Sequence, residues 1–194
     1  MIAYLKGKLV QKEPTQVIVE VNGVGYSVSI SLHTFSAIKD QENIQLATHL
    51  QVREDAHILF GFATAQEKAM FQNLISVNGI GPSTAMTVLS YMPPAELREA
   101  ILREDAAALQ SIKGIGGKTA LRLILELKDK LRKDGGESGQ SLLPHNTVRS
   151  EALSALMTLG IAKAAAEKSV DTLLKKSGNN ISLEELVKQA LKNA

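Results

Sequence analysis

Residues 74–89, LISVNGIGPSTAMTVL, and residues 109–124, LQSIKGIGGKTALRLI, align without a gap at an offset of 35. Leu74/Leu109, Ser76/Ser111, Gly79/Gly114, Ile80/Ile115, Gly81/Gly116, Thr84/Thr119 and Ala85/Ala120 are identical pairs. Each copy reads as an apolar helical run, a Gly-Ile-Gly turn and a second helix opening with small or polar residues. Glycine on both flanks of the turn permits positive φ and leaves no Cβ to hold another group away. The turn's N–H groups and those of the following first helical turn can then point outward, where the helix end carries about half a positive charge. An anion, a phosphate oxygen above all, suits such a place. Ile80 and Ile115 are expected to point inward and anchor each turn.

One Gly-x-Gly is often no more than a tight turn between packed helices, but packing alone does not require the Ile and the downstream Thr-Ala to recur. The repeated unit resembles the helix-hairpin-helix motif, which holds one nucleic-acid strand through main-chain amides without reading bases. The expected phosphate set is Gly79, Gly81, Ser83, Gly114, Gly116, Lys118, Thr119 and Arg122. Lys118 and Arg122, four residues apart, share an exposed helix face after the second turn. Gly117-Lys118-Thr119 ends like a nucleotide-binding loop, yet GxxxxGK[ST] needs glycine at 112, and Ile112 stands there. ATP binding by this chain is therefore excluded.

Residues 1–64 read as β-structure. Gln16–Val21 and Gly25–Ile30 are rich in Val and Ile, with Asn22-Gly23 as a hairpin signal and room for a slightly longer loop. From Ile44 to Phe62 the even positions are largely apolar, which predicts one buried face for a long strand pair. About five short strands suit a small Greek-key barrel of the oligonucleotide-binding (OB) type. Tyr4, Tyr26, Phe35, Phe60 and Phe62 are expected mostly in the core, so no base-stacking platform is predicted. Alternation breaks at Arg53-Glu54-Asp55, where the last hairpin must turn. Adjacent carboxylates at a tip usually mean a solvated turn; beside DNA, such a tip would repel phosphate and could part strands.

Thr64-Ala-Gln-Glu67 fits a capping box opening a helical region to about Lys133. Pro82 suits the first turn of its helix, and Pro93-Pro94 breaks the chain before a linking helix. Ala120, Leu123, Ile124, Leu127 and Leu131 mark the buried side of the last helix. Residues 134–146, Gly- and Ser-rich at their start, read as a flexible linker. Residues 147–194 read as three short helices, with stripes at Ala152, Leu153, Leu156 and Leu159, then Ala164–Leu174, then a second capping box at Ser182–Glu185. The fold class is thus α+β multidomain: barrel 1–64, tandem hairpins 65–133, linker 134–146 and helical module 147–194.

The chain has 194 residues, 44% hydrophobic and 22% charged, with net charge +2 and no cysteine. That removes disulfides, thiolate nucleophiles and cysteine metal sites. His33, His49, His57 and His145 are scattered without metal-ligand spacing, so neither metal nor cofactor is expected. No apolar run is long enough for a membrane span, and a cytosolic protein is expected. A net charge this small excludes a uniformly basic coat. Residues 113–133, however, hold seven Lys or Arg against Glu126 and Asp129.

The order of parts, with VREDAHILFGF at 52–62, VNGIGPSTA at 77–85 and KGIGGKTALRLILELKDKL at 113–131, resembles the RuvA family along the whole chain. The resemblance implies a non-catalytic subunit that binds the four-way Holliday junction as a homotetramer, alone or as two facing tetramers, in recombination and repair. It implies RuvB, a hexameric ATPase, as the motor held by the C-terminal module, and RuvC resolvase as a further partner. It also assigns Glu54 and Asp55 to an acidic pin at the junction centre, and the four glycines to phosphate-holding turns. Where family members often carry Pro before the second Gly-Ile-Gly and Lys after it, this chain has Lys113 and Gly117, so positive charge has moved to the opposite flank. A repair glycosylase or nuclease using hairpins to dock is the alternative; it would need a catalytic Lys or Asp or a carboxylate cluster. A single-strand binder using the barrel would instead prefer single strands to four-way junctions.

Overall fold

The computed structural model describes residues 1–136, 144–177 and 181–192. They fall into two compact units, Met1–Gly135 and Gly136–Ala194. The first unit opens with β1 (Tyr4–Glu13), β2 (Gln16–Val21), β3 (Val24–Ile30), α1 (Leu32–Ile38), β4 (Asn43–Val52) and β5 (His57–Phe62). The strands close into a barrel in the order β1-β2-β3-β5-β4. Four junctions are antiparallel, and β3 meets β5 in parallel at Ser29↔Phe60 and Ile30↔Gly61. This is an OB-like barrel, as the strand count predicts.

Asn22 and Gly23 alone form the β2–β3 turn, with φ of 50° and 81°. Val21 pairs with Val24, so the hairpin has the two-residue loop and no extension. Gly7 has a different reason: a Cβ there would lie 2.1 Å from the Glu20 carbonyl oxygen, so only glycine lets β1 and β2 approach so closely.

The single buried face expected over 44–62 is wrong in one respect. Because Leu50 pairs with Leu59 and His49 with Phe60, even positions on β4 share a face with odd positions on β5. Ile44, Leu46 and Leu59 therefore fill the barrel with Val17, Val19, Val28 and Ile30. Phe60 and Phe62 turn outward and join the helical core with Met70, Phe71 and Leu74. The β4–β5 pair is thus covered on both sides. Phe71 is the joint: its ring centroid lies 5.1 Å from that of Phe60, 4.9 Å from Phe62 and 5.4 Å from His49. Tyr4, expected inside, is 59% exposed, because even positions on β1 face out. Val52, the last residue of β4, is exposed too.

α1 is unforeseen in the sequence. Ser31 caps it by accepting from the Thr34 N–H, and Ser31 and Thr34 hydroxyls both donate to the fully buried Glu67 carboxylate. Thr34 in turn accepts from the Ala63 N–H at 2.9 Å. On its other side, the Leu32 N–H donates to Ser90 Oγ at 3.0 Å. Half of the expected capping box holds: Thr64 Oγ1 accepts from the Glu67 N–H at 3.1 Å. The Glu67 side chain does not reach back, because it is committed to α1.

α2 (Ala65–Ile75), α3 (Pro82–Tyr91), α4 (Pro94–Leu102), α5 (Ala106–Gln110) and α6 (Gly117–Gly136) complete the unit. Ala120, Leu123, Ile124, Leu127 and Leu131 are buried as the spacing predicts. Arg98 Nη2 donates to the Leu131 carbonyl at 2.9 Å, and Lys128 pairs with Glu104, tying α6 to α4 and the segment after it. The Glu104 carboxyl is held below its usual range, first by the Lys128 hydrogen bond and then by its charge.

The second unit contains α7 (Pro144–Thr158), α8 (Lys163–Ser177) and α9 (Leu183–Lys192) around a core of Ala152, Leu156, Ala166, Val170, Leu173, Leu186 and Ala190. Leu159, expected in the stripe, is 59% exposed, because α7 has already ended. Gly160 at φ 91° lets Ile161 N–H reach the Leu156 carbonyl and Gly160 N–H the Met157 carbonyl, a Schellman close. Arg149 forks onto Asp171 at 2.7 and 3.1 Å, joining α7 to α8. Of the expected 134–146 linker, residues 137–143 lie outside the described residues; helix occupies both flanks. Among the described residues no helix is long and apolar enough to cross a membrane.

Candidate nucleic-acid interface

Both Gly-Ile-Gly turns are built alike. Ile80 N–H donates to the Val77 carbonyl at 3.1 Å, and Ile115 N–H to the Ile112 carbonyl at 3.0 Å. Each bond closes a four-residue turn with the first glycine third, at φ 93° for Gly79 and 95° for Gly114, the geometry of a type II turn. Ile80 and Ile115 are 5% and 4% exposed and anchor the turns as expected.

Of the two glycines in each turn, only the first takes the positive φ that glycine permits. Gly81, the N-cap of α3, has an ordinary φ of −84° and ψ of 167°. Any residue could adopt that backbone, and a Cβ on Gly81 or Gly116 would meet nothing within 4 Å. Neither conformation nor internal packing asks for glycine at 81. What a side chain would obstruct is the approach of an outside group to the bare N–H groups of Gly81 and Ser83, which no side chain caps. Pro82, in the first turn, has no N–H to leave unpaired. Ala85 N–H donates to the Gly81 carbonyl and Ala120 N–H to that of Gly116, both at 2.9 Å, so the two helices start in the same way.

Gly79, Gly81, Ser83, Gly114, Gly116 and Lys118 are exposed, and Thr119 is half-buried. Arg122 is exposed as well, but its guanidinium crosses to the other repeat: Nη1 donates to the Asn78 carbonyl at 3.0 Å. Its Nε lies 3.9 Å from Glu126 Oε1. A Cβ on Gly79 would sit 3.9 Å from Arg122 Nη1, and one on Gly114 would sit 3.7 Å from Thr84 Cγ2. Each positive-φ glycine thus faces the second helix of the opposite copy. The structure brings the two turns together, and Asn78 and Thr84 are the partners that sequence reading missed. The alignment of copies marks both positions, but periodicity does not say that the copies cross.

Glu54 and Asp55 stand exposed in the four-residue connection between β4 and β5, pinched by the Arg53 N–H to Ala56 carbonyl bond at 2.9 Å. Among the described residues no hydrogen bond or ion pair joins that tip to either turn. Nor do three His, Asp or Glu side chains gather there in a group able to hold a metal.

Residues 1–61 match the family model described as the RuvA N-terminal domain, 71–129 the SAM-like helix-hairpin-helix tandem, and 147–194 the RuvA C-terminal domain. A protein of Cytophaga hutchinsonii named Holliday junction branch migration complex subunit RuvA is 56% identical, with 99% of each chain covered. Proteins of the same name from Christiangramia forsetii and Bacteroides fragilis are 50% and 42% identical, again over 99% of each chain. Likeness from end to end does not favour a glycosylase or nuclease that borrows the hairpins.

Proposed function

This chain belongs to the RuvA family, and from that premise we propose that it binds the Holliday junction through its paired turns and serves branch migration as the DNA-holding subunit. The observation that carries the reading is the pair Gly81 and Gly116: glycine recurs where neither φ at 81 nor neighbouring atoms at either site require it. Close approach of a sugar-phosphate strand to the N–H groups supplies the reason. Lys118 and Thr119 stand in the first turn of α6 beside the second site, where a cation and a hydroxyl add to the amides. Such contacts ignore base identity, so duplex arms can be drawn past them with little change in energy.

Glu54 and Asp55 act as the pin. Four copies about one axis would set eight carboxylates near the crossover, where repulsion from phosphate disfavours a closed, stacked junction. The chain has no nucleotide loop of its own and performs no catalysis; the power stroke comes from the RuvB ATPase, engaged by the 147–194 module.

The test uses a substitution that the fold should welcome. Asp is a favoured N-cap residue, so Gly81→Asp with Gly116→Asp should keep or raise Tm while placing a carboxylate where phosphate must come. Junction affinity should fall by more than tenfold, on the order of the loss of one or two charge-assisted bonds per turn. Unchanged affinity in a correctly folded double variant would refute the reading.

A further inference from the structure

Between Ala69 and Leu97, a stretch that includes the whole first copy, residues 74–89, there is no Lys or Arg. Lys113, Lys118 and Arg122 all belong to the second copy. The position equivalent to Arg122 in the first copy is Thr87, whose hydroxyl donates back to the Ser83 carbonyl at 3.1 Å. The position equivalent to Asn78 is the exposed Lys113. The two turns share a backbone but differ in charge, and the difference has a structural remedy. Arg122 leaves its own repeat and fastens on Asn78, the residue before Gly79, at 3.0 Å.

We propose that Arg122 serves the first phosphate site, not the second on whose helix it stands. A guanidinium has five N–H donors in a planar fork, and the bond to the Asn78 carbonyl uses one of them. That bond holds the positive charge beside the Gly79–Gly81 turn, so a strand gripped there meets both main-chain N–H groups and a borrowed cation. The second turn already has Lys113 and Lys118 and does not need it. The loan runs one way, because Thr87 has no charge to return. It also links the turns mechanically, so the two sites engage DNA as one unit. A lysine at 122 would keep the charge but lose the planar fork.

The inference rests on the reading of both turns as phosphate sites, and the experiment separates the two. Gly81→Ala and Gly116→Ala alone test the turns; if neither weakens junction binding, both proposals fall. Arg122→Gln alone should weaken binding on the order of tenfold. The deciding measurement is a pair of double-mutant cycles on junction affinity. If Arg122 belongs to the first site, Arg122→Gln costs little more once Gly81→Ala has impaired that site. With Gly116→Ala the two losses should multiply. Coupling to Gly116→Ala, or independence from both, would overturn the assignment. Melting curves of every variant check folding, and Arg122→Lys should recover only part of the affinity.

Discussion

Within the two turns, Gly79 and Gly114, at φ 93° and 95°, are the positions where the backbone itself disfavours a methyl group. Gly79→Ala and Gly114→Ala are each expected to lower stability by about 1 kcal/mol or more in thermal melts, because Ala disfavours the left-handed region. Gly81→Ala and Gly116→Ala should each stay within ~0.5 kcal/mol of the parent. His49 offers a pH test. Burial, then the charge of Lys68, holds its pKa below the ordinary 6.5. The unfolded chain therefore takes up this proton more readily, and His49's contribution to stability is present above that value and lost as pH falls below it. His49→Gln should flatten the decline in Tm between about pH 7.5 and 5.5 relative to the parent. At this scale the glycines and the lysine cluster could be read from the chain. The partner of Arg122 could not, since 44 residues separate it from Asn78 and only folding sets the two repeats across one another.

Among the elements, α1 shows how tertiary bonds override local signals. Its seven residues are too few to declare themselves by periodicity, and what fixes them lies elsewhere: the Glu67 carboxylate, 36 residues beyond Ser31 and 33 beyond Thr34. Glu67 read as a cap partner because its spacing from Thr64 is correct, yet burial recruited its side chain to two hydroxyls instead. Glu67→Ala should cost about 3 kcal/mol in denaturant unfolding, as two buried hydroxyls lose their acceptor. A cost under ~1 kcal/mol would show that α1 is held without the Glu67 carboxylate, by its packing and its remaining bonds to Ser90 and Ala63. The β4–β5 hairpin gives a second lesson. Its alternating residues were visible, but the four-residue connection reverses which parity faces the barrel, and only the register Val52↔His57 reveals that.

For the molecule as a whole, the order of barrel, tandem hairpins and three-helix module could be read from composition and repeats. Those signals come from local periods and turn residues, whereas the strand order and its parallel closure depend on long-range pairing. Charge reversal at the tip is a prediction at this scale. Glu54→Lys with Asp55→Lys should leave Tm within ~0.5 kcal/mol equivalent, since both side chains are exposed. Junction affinity should be kept or increased while the rate of strand exchange by the complete motor assembly changes; an unaltered rate would remove the pin from the mechanism. Finally, the parallel seam of β3 with β5 is short: Ser29↔Phe60 and Ile30↔Gly61 close the barrel, while residues 24–28 pair with β2 alone. The edge left over at β3 is short, and a short edge gives an added strand little to pair with, which discourages open-ended stacking of sheets.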